Sequence, residues 1–159
     1  ISDLIDRCLE DRLTPFHIEA LEFNANIQFI TDEAEGDSYL PFVGNGMIGL
    51  VISPDSPIYI KSSRTLSLPI NWHPIVTVNG GDRSKEAIVT HYLSGVATRY
   101  QCIDNGLQVT YHYYAHRTLP YVFVQDIKIV NSNPHPVDFT LSRPKTFEST
   151  TRDPQGGIG

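Results

Sequence analysis

Residues 96–115 read VATRYQCIDNGLQVTYHYYA, and this stretch decides the fold. At its centre stands Asp104-Asn105-Gly106, and Asn-Gly accepts the positive φ angles of a tight hairpin turn. Beyond the turn Leu107, Val109, Tyr111 and Tyr113 share one face of a strand. Gln108, Thr110, His112 and Tyr114 lie on the other. Two β-branched and aromatic runs joined by such a turn predict an antiparallel hairpin with one buried face.

The same character extends in both directions. Further strands are predicted near 47–53, 58–60, 75–78, 87–93, 122–130 and 137–142, separated by Gly, Pro and Asn. In the run after the hairpin Tyr121, Phe123, Ile127 and Ile129 share a face, with Asp126 and Lys128 opposite. Residues 131–136, NSNPHP, form a turn before Val137, Phe139 and Leu141 resume the alternation. No long helix-period segment interrupts the strands, which disfavours a parallel βαβ sheet. Only the start differs. Leu4, Ile5, Cys8 and Leu9 recur at helical spacing from a Ser2 cap, and the helical reading runs to about residue 26. Thr14-Pro15 restarts it as cap and first helical residue, with Ile18, Leu21 and Ala25 on the buried side. Residues 31–38, TDEAEGDS, read as a solvated acidic loop. The expected fold is all-β, an antiparallel β-sandwich with a short helical N-terminal extension. Its divisions are a helical extension over 1–30, the sandwich over 31–145, and a flexible tail or truncated linker over 146–159.

Composition narrows the function. The chain has 159 residues, 40% hydrophobic and 19% charged, which suits one folded domain. Twelve Lys and Arg against 18 Asp and Glu give a net charge of -6 with no basic run, which argues against nucleic-acid binding. No apolar run approaches the ~20 residues of a membrane span, and no signal-peptide core is present. The chain begins at Ile1 and reads as a piece of a longer protein. Its two cysteines, Cys8 and Cys102, either pair in an oxidising compartment or sit reduced in the core. No Asn-x-Ser/Thr sequon occurs.

Motifs that carry chemistry are sparse. Residues 44–49, GNGMIG, match the dinucleotide pattern, but a strand follows where that pattern requires a helix. A tight turn feeding a strand explains these glycines better. His112 and His116 would pair on a helix, but four strand residues span roughly 13 Å, too far for one metal ion with bonds near 2 Å. No metal site and no cofactor is therefore expected. A G-x-S-x-G nucleophile elbow is absent. Asp37, Asp55 and Asp126 sit in polar turns or on a solvent face, and no catalytic residue is assigned. Trp72, the single tryptophan, stands between Asn71 and His73. An aromatic face flanked by polar groups suits a sugar, whereas packing at the edge of the core is the ordinary use of such a ring. Asn71, Trp72 and His73, with Asn45 at the Gly turn, are the candidate carbohydrate contacts.

The order of short motifs carries a resemblance. Gly44-Asn45-Gly46-Met47-Ile48-Gly49 is followed by Leu68-Pro69-Ile70-Asn71-Trp72 and Val76-Thr77-Val78-Asn79-Gly80. Then come Leu93-Ser94-Gly95-Val96-Ala97-Thr98-Arg99, Tyr114-Ala115-His116-Arg117 and Ile127-Lys128-Ile129-Val130-Asn131. This order resembles the N-terminal β-sandwich of disaccharide phosphorylases and glucosidases related to maltose and kojibiose phosphorylase, over roughly residues 40–141. In those enzymes the catalytic acid lies in a later helical barrel, so the resemblance implies a supporting wall here and no catalytic residue. The helical start departs from their strand-first beginning. A second resemblance fits the start. Phe16-His17-Ile18-Glu19-Ala20, Phe23-Asn24-Ala25-Asn26-Ile27 and Leu40-Pro41-Phe42-Val43-Gly44-Asn45-Gly46 are similar to a family of uncharacterised animal single-pass membrane proteins. Ser56-Pro57-Ile58-Tyr59-Ile60-Lys61 and Arg64-Thr65-Leu66-Ser67-Leu68-Pro69 fit it as well. That resemblance implies the lumenal or extracellular part of a type I membrane protein, with signal peptide and span outside this chain.

Together these readings predict a noncatalytic domain on the lumenal or extracellular side of the secretory pathway. Its partners would be the rest of its own ectodomain and a carbohydrate or protein ligand, with the membrane reached only through a span outside the chain. The alternative is the N-terminal sandwich of an active glycoside hydrolase or phosphorylase whose catalytic barrel lies elsewhere.

Overall fold

A computed structural model describes residues 2–30, 41–53, 56–70 and 72–143. The decisive hairpin is β8 (Val96–Ile103) and β9 (Leu107–Ala115), paired antiparallel with Cys102 opposite Gln108. Gly106 donates to the Ile103 carbonyl at 3.0 Å and takes φ +85, while Asn105 keeps a negative φ. The turn is therefore a type I turn over Asp104 and Asn105 closed by one left-handed glycine, and of the Asn-Gly pair only Gly106 takes a positive φ. The Asn105 amide donates to the Gly80 carbonyl, and Asn133 donates to the Asn105 carbonyl at 2.6 Å. The turn is thus tied to the neighbouring 131–136 turn.

Around this hairpin a five-stranded antiparallel sheet runs β1 (Ala25–Ile30), β7 (Ser84–His91), β8, β9 and β10 (Phe123–Asn131). A four-stranded sheet runs in sequence order from β2 (Phe42–Gly44) through β3 (Ile48–Val51) and β4 (Ile58–Lys61) to β5 (Ser67–Ile70). A third pairing joins β6 (Thr77–Asn79) to β11 (Thr140–Ser142). The architecture is the all-β sandwich expected, with helix at the N-terminus. Strand alternation gives the large sheet two buried faces. Leu107, Val109, Tyr111 and Tyr113 point inward with Ile88 and Ala97, against Val43 and Leu50 of the second sheet and Ile75 and Val78 near β6. Ala87, Val89 and Cys102 point the other way, against Ile5, Leu9 and Leu13 of α1 (Ser2–Leu13).

The N-terminal stretch folds differently from its helical reading beyond Leu13. A 3₁₀ turn (Thr14–Phe16) and a short helix α2 (His17–Leu21) follow α1, and then β1 begins. Pro15 does open a helical turn, but Ile18 and Leu21 are 69% and 80% exposed and do not line a core. Ala25 is buried, as the first residue of β1 and not as part of a helix. The helical period ends there because pairing with β7, Ala25 opposite His91 through Ile30 opposite Glu86, satisfies the backbone of Asn26–Ile30 in a ladder. Cys8 and Cys102 form a disulfide that fastens α1 to β8. Arg12 adds to this fastening by donating to Thr110 Oγ1 at 2.9 Å and to Gln108. The expected acidic loop over 31–38 and the tail over 146–159 lie outside the described residues.

Polar side chains bridge the sandwich interior where a backbone ladder is missing. Tyr111 Oη accepts from the Val78 N–H at 2.9 Å, and Gln101 Nε2 donates to the Val78 carbonyl at 3.2 Å. Tyr111 in turn donates to Gln101 Oε1 at 2.6 Å. Gln125 takes both groups of Val76, accepting at 2.9 Å and donating at 2.8 Å. Beside them Arg99 is paired with Glu86 at 2.6 Å, and its guanidinium lies 4.8 Å from the Tyr111 ring centroid. Burial opposes the charge on Arg99, but Glu86 and the two tyrosine oxygens outweigh it and hold the guanidinium above its ordinary value.

Candidate functional site

The fold gathers three of the sequence motifs at one end of the sandwich. Gly44-Asn45-Gly46 turns β2 into β3, Asn45 donating its N–H to the Ile48 carbonyl at 3.1 Å. Residues 92–95 turn β7 into β8, with Gly95 donating to the His91 carbonyl at 2.9 Å. Residues 116–122 lead β9 into β10, with His116 donating to the Val122 carbonyl at 2.8 Å. Two cavities lie among these turns, of about 570 Å³ and about 650 Å³, both within the range of ligand pockets. They share Gly44, Tyr92 and Gly95 in their walls and so lie side by side.

The first cavity has an aromatic floor. Phe42 is 56% exposed, and its ring lies across Gly44 and Gly49, where a Cβ on either glycine would overlap it. Glycine at both positions leaves room for the tip of the ring, Cζ and Cε1, to reach over the sheet, and the ring lines the cavity. Tyr59, Tyr92, Asn26, Ser67, Thr90 and Lys61 supply aromatic and polar groups around it. His91 is held at the wall: its Nδ1 faces Ser94 Oγ at 3.0 Å, and its Nε2 lies 3.2 Å from Glu19 Oε2. The second cavity is lined by Tyr114, His116 and Arg117. His116 Nδ1 accepts from the N–H groups of Leu119 at 3.1 Å and Thr118 at 3.2 Å, which in the neutral ring leaves the proton on Nε2.

Of the sequence candidates among the described residues, only Asn45 lines either cavity. Asn45 lines the second cavity, but its side chain is occupied within the fold. Its Oδ1 accepts from Met47 and Ile48 at 3.0 Å each, and its Nδ2 donates to the carbonyls of His116 at 2.8 Å and Pro120 at 3.1 Å. Trp72 lies after β5, 41% exposed, with the Arg143 guanidinium 5.9 Å from its ring centroid. Its neighbour His73 is buried and directs Nδ1 to the Ser56 carbonyl at 3.1 Å. Asn71 lies outside the described residues, as do Asp37 and Asp55, while Asp126 is exposed on β10. His112 stands on the outward face of β9 with Nδ1 3.1 Å from Thr98 Oγ1. Among the described residues no three His, Cys, Asp or Glu side chains gather as a metal would require. Phe42, Tyr59 and Tyr92 escaped the sequence reading. The signal for Phe42 was present in the pair Gly44 and Gly49, opposite each other across β2 and β3.

Fold and site together define a helix-buttressed, disulfide-linked antiparallel β-sandwich with a mixed aromatic and polar cleft at one end. The chain belongs to the family described as "Uncharacterized conserved protein (DUF2152)", whose model matches residues 3–153. No curated protein and no solved structure matches the chain. Among the described residues no helix is long and apolar enough to cross a membrane.

Proposed function

We propose that the chain is a noncatalytic β-sandwich domain of a larger single-pass type I membrane protein, and that it binds carbohydrate in the cleft over Phe42. The observation that carries this reading is the exposed Phe42 ring itself, its tip seated over Gly44 and Gly49 and its surface open to a cavity with a polar rim. The negative face of an aromatic ring attracts the partly positive C–H groups of a sugar's apolar side. The surrounding hydroxyl, amide and ammonium groups match its hydroxyls. The Cys8–Cys102 disulfide supports a lumenal or extracellular location, since such bonds persist in oxidising compartments. The resemblance of its motif order to phosphorylase-type sandwiches would suit a domain that buttresses the rest of its ectodomain.

The test is calorimetric titration of glucosides and short oligosaccharides into the chain, with thermal melts as a folding control. Binding is expected, weakened at least tenfold by Phe42→Ala and little changed by Trp72→Ala. Weakening by Trp72→Ala alone would move the site to the Trp72 surface. Sugar released by the parent protein would favour the hydrolase or phosphorylase alternative. Absence of binding to every sugar would overturn the carbohydrate reading.

A further inference from the structure

The charge of the cleft runs against the charge of the chain. The sequence carries 18 acidic and 12 basic residues, yet no Asp or Glu lines either cavity among the described residues. Two cations do, Lys61 in the first and Arg117 in the second. His91 is not counted with them, because Glu19 stands against its Nε2. Arg117 gives one bond to the protein, from Nη2 to the Ser94 carbonyl at 3.3 Å, and its other guanidinium N–H donors are free of partners among the described residues. His116 adds a neutral donor: its Nδ1 is taken by backbone N–H groups, so Nε2–H is left at the wall. A guanidinium fork and an N–H donor lining one cavity, with no carboxylate in its wall among the described residues, suit an oxyanion on a ligand.

Resting on the carbohydrate reading above, we infer that the ligand is an anionic oligosaccharide, with a neutral ring on Phe42 and a carboxylate, sulfate or phosphate substituent at Arg117 and His116. The side-by-side cavities provide the span for such a ligand, and the Asn45 side chain holds the 116–120 loop against the Gly turn between them. The experiment is calorimetry with four probes: maltotriose, maltotriose sulfate, maltotriose with one terminal glucose replaced by glucuronate, and inorganic sulfate. At least one anionic trisaccharide is expected to bind tenfold or more tightly than maltotriose at low salt. That advantage should shrink at 0.5 M salt, where the Debye length is only a few ångströms. Which of the two wins identifies the substituent as sulfate or carboxylate. Arg117→Gln is expected to remove most of the advantage, whereas Lys128→Gln, which removes a cation exposed on β10, preserves it. Equal binding of maltotriose and both anionic sugars would overturn this inference and leave the carbohydrate reading standing. Failure of all three sugars would overturn both. Inorganic sulfate binding as tightly as maltotriose sulfate would also overturn it, since the saccharide would then contribute nothing.

Discussion

Replacing both cysteines, Cys8→Ala with Cys102→Ala, tests how the N-terminal helix is held. The bond closes a loop of sequence separation 94. In the chain-entropy description, a loop of that length constrains the unfolded state by about 4.7 kcal/mol. Domains of this size are stable by only about 5–15 kcal/mol, so the expected loss is a third or more of the total. For a chain near 150 residues each kcal/mol moves the melting temperature by about 2–4 °C, which predicts a fall on the order of 10–20 °C. The native structure should change little. Ile5, Leu9 and Leu13 remain buried against the sheet, Arg12 still reaches Thr110 and Gln108, and Lys85 still pairs with Asp6. The assay is urea denaturation followed by far-UV circular dichroism and Trp72 fluorescence, with intact mass confirming the bond in the wild type. A variant that loses helix signal in native buffer would show that the bond, not the apolar face of α1, docks the helix. A loss below about 1 kcal/mol with the bond confirmed would refute the reasoning. It would mean that residual structure already keeps residues 8 and 102 close in the unfolded chain.

Three further outcomes follow from the interior and the hairpin. Gly106→Val should cost more than about 1 kcal/mol, because φ is +85 and a Cβ would run into the Asn133 side chain; a wild-type urea midpoint would contradict the turn. Glu86→Gln leaves the buried Arg99 charge without its partner and should cost about 3–5 kcal/mol, while Glu86→Leu with Arg99→Met should recover much of that; equal melting of single and double variants would refute the pair's isolation from water. Burial pushes the Tyr111 phenol up to about 12, and burial raises Tyr113 and Tyr100 as well. A raised native value means that the unfolded chain releases protons first, so stability is fully present below pH 10 and falls as pH rises from 10 toward 12. Ultraviolet titration of the folded protein at 295 nm should show a tyrosine fraction that ionises only toward pH 12, and Tyr111→Phe should diminish it; an unchanged late fraction in that variant would refute this.

The strands with clean alternation were legible because each sets its apolar side chains on one face. The inward set Leu107, Val109, Tyr111 and Tyr113 matches the core, and Asp126 and Lys128 lie on the exposed face of β10. What escaped were strands whose pattern is set by partners. β1 reads as ANIQFI after a helical stretch, and only pairing with β7 makes it a strand. β5 is exposed along its length and shows no buried alternation, and its edge position tolerates the missing N–H of Pro69. The Cys8–Cys102 bond could not be assigned from spacing, since it depends on α1 crossing the outer face of β8. The cleft was legible only as separate motifs. Gly44-Asn45-Gly46, residues 92–95 and residues 114–117 meet through the return of distant strands, while Trp72 and His73, adjacent in sequence, part company, Trp72 exposed and His73 buried.

One side chain joins these separate motifs into a cleft. Asn45 closes its own turn with its carbonyl oxygen and holds the 116–120 segment with its amide, so it sets the distance between two walls. Walls fixed before a ligand arrives need not be ordered on binding, which preserves affinity. Asn45→Ala should therefore weaken sugar binding although its carboxamide is already committed to protein groups. Asn45→Asp separates the two tasks: a carboxylate still accepts from Met47 and Ile48 but cannot donate to His116 and Pro120. Hydrogen exchange then distinguishes them. Alanine should speed exchange at both Met47–Ile48 and residues 118–119, and aspartate only at the latter. Unchanged exchange at residues 118–119 in both variants would show that the loop holds itself, and that Asn45 shapes only the turn it occupies.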